Sequence, residues 1–95
     1  MEMVELIDRF MKKISEDPAI GPTHISLYLA VLCNFKEQRY QNPISIYSRN
    51  LMRQAKISAI GTYHKCMNDL VTYGYIGYTP SYNPFLGSLI YLLNN

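Results

Sequence analysis

The stretch from Ser48 to Tyr78, SRNLMRQAKISAIGTYHKCMNDLVTYGYIGY, leaves this chain few ways to fold. Ser48 suits a helix N-cap, and behind it Leu51, Met52 and Ala55 share one helical face while Arg49, Asn50 and Arg53 share the other. Only Lys56 and Ile57 separate that segment from Ser58, the next residue suited to a cap, so a tight turn must join two helices. The second helix, expected over 58–73, turns Tyr63, Met67, Leu70 and Val71 inward at helical spacing. Gly74 stops it by accepting the left-handed conformation just past a helix end. Directly behind, YIGYTPS and SLIYLL read as strands, and the Asn, Pro and Gly of the intervening YNPFLG are turn formers. A hairpin over 75–93 follows.

Upstream, Met3, Ile7, Phe10, Met11 and Ile14 recur at three- and four-residue steps among charges, which predicts an amphipathic helix within 1–17. The run EDPAIGP ends it, and Pro22 opens a second helix, where the missing N–H costs no hydrogen bond. This helix is expected to run to about Gln41 and to be the most buried. It carries two apolar stripes, Ile25, Tyr28, Leu29 and Leu32 on one side and Leu27, Val31 and Phe35 on another. One stripe faces the rest of the domain, and the other takes the N-terminal helix or a second subunit. NPISIY, with Ile44 and Ile46 alternating with polar or amphipathic neighbours, reads as a very short strand. The expected architecture is a single domain over 1–95, mostly α with a small β-hairpin (α+β).

Composition bounds the function. At 95 residues, 48% apolar and 17% charged, the chain is globular in balance, yet its core is small and a partner subunit is a reasonable expectation. The net charge of +2 is zoned. Residues 1–17 hold five carboxylates against three bases; residues 36–69 hold six bases against two carboxylates; after Asp69 there is no charged side chain. A positive middle suits a polyanion, and an uncharged tail suits burial or an apolar partner surface. No apolar run approaches the roughly 20 residues that cross a bilayer, and no leader pattern precedes the first helix. The expectation is a cytoplasmic protein with reduced Cys33 and Cys66, not a membrane protein.

Within GTYHKCMNDL, residues 61–70, seven kinds of polar or reactive group crowd together. On a helix His64 and Cys66 diverge by roughly 200°, so they do not form a nucleophile and base. Thr62, Lys65 and Asn68 share a polar face, with Gly61 and His64 beside them. His24, Cys33, His64 and Cys66 lack the ligand spacing of a zinc site. The thiols read as small buried apolar groups and His24 as a surface or capping residue near a helix start. No catalytic centre, metal or cofactor is expected, and the chain reads as a binding protein rather than an enzyme.

The order helix, helix, short strand, helix, tight turn, helix, hairpin resembles the winged helix-turn-helix family of DNA-binding domains, with an extra N-terminal amphipathic helix. The resemblance covers roughly residues 22–93, with Ser48, Ala55, Ile57, Ser58, Thr62, Leu70, Gly74 and Ile76 in the family's pattern positions. More narrowly, TYHKCMNDL with GYIGYTPSYNPFLGS is similar to small stand-alone regulators or excision-type factors of bacterial conjugative mobile elements. The resemblance implies sequence-specific binding of double-stranded DNA, in transcription regulation or in directing recombination, by a bacterial protein associated with the nucleoid. The helix over 58–73 would enter the major groove. Thr62, His64, Lys65 and Asn68 would meet bases or nearby phosphates, and Arg49, Arg53, Lys56 and Ser58 would hold phosphates, Ser58 also capping the helix. A homodimer built through residues 1–35 would read half-sites about one duplex turn apart. The wing departs from the family in carrying no lysine or arginine. The alternative is therefore a protein-interaction module docking through its uncharged hairpin. Tyr73, at the end of the preceding helix, and Tyr75, Tyr78, Tyr82 and Tyr91 of the hairpin are also suited to strands and core, and Pro84 and Phe85 stand at the hairpin tip.

Overall fold

A computed structural model describes residues 2–81 and 87–93. Its order is α1 (Met3–Ile14), α2 (Pro22–Glu37), β1 (Ile44–Ile46), α3 (Ser48–Ala55), α4 (Ile60–Thr72), β2 (Ile76–Thr79) and β3 (Ser88–Leu92). The four helices and small antiparallel sheet make the fold α+β, as the periodicity predicts.

α2 is the centre. Leu27, Tyr28, Ala30, Val31, Leu32 and Phe35 are all buried, so both apolar stripes are used, although Leu29 stays 38% exposed. One stripe receives α1 through a ring cluster. Phe10 stacks on Tyr28 with centroids 3.9 Å apart, and Tyr75 meets both edge-on. Such pairs add to the area they bury. Tyr75 donates to Asp17 Oδ2 at 2.8 Å, and Lys13 Nζ lies 4.1 Å over the Tyr75 ring while donating to the Gly74 carbonyl. α1 is thereby fastened to the entrance of the hairpin as well as to α2. Burial and the neighbouring Asp17 carboxylate push the Tyr75 phenol pKa up.

β3 lies between β1 and β2, pairing Ile44 with Ile90 on one side and Ile76 with Leu92 on the other. Ile44, Ile46, Ile76, Ile90 and Leu92 are all buried. The alternation puts every second residue on the face that meets the helices. Gly87 adopts φ +66, and a Cβ there would stand 2.6 Å from the Ile46 carbonyl oxygen, so only glycine admits the third strand at this distance.

Several sequence expectations need correction. α1 lies within 1–17 as expected, but α2 is shorter than 22–41. α2 stops at Glu37 because Arg39 and Tyr40 take positive φ, and the Tyr40 ring folds back edge-on against Phe35. Val71 and Met11, expected inward, are 38% and 46% exposed, each lying at the edge of its helix's apolar stripe. Tyr73 is also exposed, whereas Tyr75 belongs to the core. Tyr82, Pro84 and Phe85 lie outside the described residues. Among those described, no helix is long and apolar enough to cross a membrane.

Candidate nucleic-acid interface

α3 and α4 meet through a turn of four residues, Lys56 to Ala59. Leu51 and Ala55 bury the inner face of α3, which leaves Arg49 and Arg53 exposed on the outer one. Two side-chain bonds fix α3 on α2. Ser26 Oγ donates to the Ala55 carbonyl, and Asn34 Nδ2 donates to Gln54 Oε1 at 2.6 Å. Lys56 then takes φ 61, the left-handed position that ends α3, and its successor Ile57 drops into the core. The reversal is built from a buried aliphatic and a strained lysine.

α4 is buried along Tyr63, Cys66, Met67 and Leu70, and exposed at Ile60, Gly61, Thr62, His64, Lys65, Asn68 and Thr72. All four base-facing candidates therefore stand on solvent. Thr62 and His64 flank the exposed face on opposite sides, with Lys65 and Asn68 between them. The Tyr63 hydroxyl is buried and has no hydrogen-bond partner among the described residues, and burial drives its pKa up.

Two adjoining clefts gather the phosphate candidates. Ser48, Arg49, Met52, Arg53, Ile57 and Ile60 line an open groove of about 500 Å³. Thr23, Lys56, Ile57, Ser58, Ala59 and Thr62 line the second, at the first turn of α4. Among the described residues Arg49, Arg53 and Lys56 form no ion pair, since the salt bridges there join Lys12 to Asp8 and bring His24 and Lys65 to Asp69. Among the described residues no carboxylate compensates their charge.

Ser58 does not cap α4. The chain stays extended through Ala59, which is the N-cap and offers no side-chain bond, and the helix begins at Ile60 rather than at 58. Ser58 is exposed in the turn and lines the second cleft. Ser48 is likewise the first helical residue of α3, behind Tyr47 as N-cap.

The periodicity does not disclose Asp69 and His24. His24 is buried rather than on the surface. Its Nδ1 accepts from the Gly21 N–H at 3.0 Å, which caps the start of α2, and its Nε2 meets Asp69 Oδ2 at 2.8 Å. Accepting at Nδ1 leaves the ring hydrogen on Nε2, donated to the carboxylate. The same Oδ2 receives Lys65 Nζ at 3.1 Å. These bonds, from His24 first and Lys65 second, hold the Asp69 carboxyl below its usual pKa, and the carboxylate raises that of Lys65. Lys65 is exposed and its ion pair with Asp69 is weakened by water, so Lys65 remains free to exchange Asp69 for another anion.

Cys66 is buried, and burial raises its thiol pKa, whereas Cys33 is exposed on α2, against the expectation that both thiols are internal. Among the described residues no three His, Cys, Asp or Glu side chains converge as a metal site. No protein-family model, curated protein or solved structure matches the chain.

Proposed function

We propose that this protein is a winged helix-turn-helix DNA-binding protein, not an enzyme, that recognises specific duplex sequences as a small transcriptional regulator or recombination-directing factor. α4 enters the major groove. Thr62, His64, Lys65 and Asn68 meet bases or nearby phosphates, while Arg49, Arg53, Lys56 and Ser58 fix the register on phosphates. The observation that carries this reading is the juxtaposition of three cations that have no carboxylate partner among the described residues with the exposed polar face of α4. α4 has 13 residues, about 20 Å at 1.5 Å per residue, and a bare helix fits a groove roughly 12 Å wide. Two copies, joined through residues 1–35, present two such helices.

Holding and reading separate by mutation. The Asn68 amide is suited to pair with the adenine edge, so Asn68→Ala costs roughly 1–3 kcal/mol on the preferred duplex and leaves random duplex nearly unchanged. Arg53→Ala weakens preferred and random duplex alike and lowers the salt slope by about one phosphate's worth. Fluorescence anisotropy on a selected and a random duplex measures both. If neither variant changes binding while remaining folded, the polar face of α4 is merely solvated. The other reading, docking of a protein partner through the hairpin, is favoured by the absence of charged side chains beyond Asp69 and by the exposed Leu93 at the hairpin's end.

A further inference from the structure

Ile60 is the first residue of α4 and is 54% exposed. Single surface isoleucines are ordinary, but the setting of this one is not. It lines the groove that also holds Arg49 and Arg53, with Met52 and the buried Ile57 supplying further apolar lining. It begins the row Ile60, His64, Asn68, whose four-residue steps place it in line with two residues of the proposed reading face. Beside it the first turn is bare. Ala59 makes no side-chain cap, and a Cβ added at Gly61 would meet nothing within 4 Å, so a ligand edge can approach the helix closely here. A β-branched residue is a poorer helix former than alanine, so helix propensity does not account for isoleucine at this exposed site.

An aliphatic side chain flanked by guanidinium groups that have no carboxylate partner among the described residues suits a polyanion that offers an apolar group beside its charges. On the major-groove edges of DNA that group is the C5-methyl of thymine. We propose that Ile60 is a specificity determinant that packs against a thymine methyl near the start of α4, with Arg49 and Arg53 holding the adjacent backbone. The inference rests on the DNA-binding reading and adds a base preference to it. Hydrogen bonding from His64 and Asn68 then reads the pairs farther along the same row.

The test selects the tightest-bound sequence from a pool of random duplexes and replaces each thymine in turn by deoxyuridine, which removes only the methyl group. Anisotropy at one fixed salt concentration gives the affinities. One or two replacements are expected to weaken the wild-type protein about fourfold each, the worth of one buried methyl-sized group. Ile60→Ala, checked for folding by circular dichroism, is expected to bind the thymine and uracil duplexes equally. If no sequence is preferred, if no replacement matters, or if the penalty persists in folded Ile60→Ala, the assignment is overturned while DNA binding itself stands. If the wild type binds no duplex at all, the DNA-binding reading falls and the thymine contact with it. The scan on wild-type protein keeps the assignment open to refutation even if the variant does not fold.

Discussion

Lys56 shows what a single residue contributes. Its φ of 61 is a conformation that costs a side-chain-bearing residue on the order of 1 kcal/mol; of the other positive-φ sites among the described residues, Gly74 and Gly87 are glycine, and Arg39 and Tyr40 are not. Lysine at this position carries that cost and places a cation beside the second cleft. Lys56→Gly is therefore expected to raise stability by about 0.5–1 kcal/mol in urea denaturation, while lowering duplex affinity and its salt slope by about one phosphate. A variant no more stable than wild type would remove the strain argument, and one binding DNA as before would remove Lys56 from the interface. Single residues are also where the sequence was least legible. Both serines read as caps are displaced by one residue from the real N-caps. Where each helix starts is set by distant partners: the Ile46–Ser88 pair that ends β1, and the burial of Ile57 that draws the turn inward. The His24–Asp69 bond spans 45 residues and leaves no trace in local spacing.

At the scale of elements, legibility was high for a physical reason. Helical periodicity, Gly74 and the alternation beyond it are local signals, and they mark every helix and both strands of the hairpin to within a few residues. The docking of β1 against β3 is not local, so a three-residue strand could be seen but not its partner. α4 is held against the start of α2 by Asp69, which gives a testable pH dependence. The Asp69 carboxyl titrates below its ordinary value of 3.8 in the folded protein. Its ionised form thus stabilises the fold above that value, and the contribution disappears as pH falls through the lower, folded-state pKa. Asp69→Ala leaves the buried His24 N–H without its acceptor and is expected to cost about 1–3 kcal/mol at neutral pH. The gap to wild type should narrow in acid, below the usual carboxylate range. Urea midpoints at neutral and acid pH check this; a gap independent of pH would mean that packing at position 69, not the bond to His24, was lost.

For the whole molecule, the domain leaves apolar surface unused in the segment proposed to join two copies. Val4 is 75% exposed, Met11 46% and Leu29 38%, all on α1 and α2. A homodimer is the expected state in light scattering at tens of micromolar, and Val4→Glu with Met11→Glu is expected to shift it to monomer without unfolding it. A wild-type monomer both on and off DNA would end the dimer. Such a dimer would retain a recognition unit in each copy, so the DNA-binding claim is tested separately and most directly by salt. With Arg49, Arg53 and Lys56 each neutralising a phosphate, the logarithm of the affinity for a labelled random duplex is expected to fall linearly with the logarithm of salt concentration, with a slope of about −2.7 per protomer. Absence of binding even at low salt, or an affinity that salt hardly changes, would contradict a phosphate-held interface and favour docking through the uncharged hairpin.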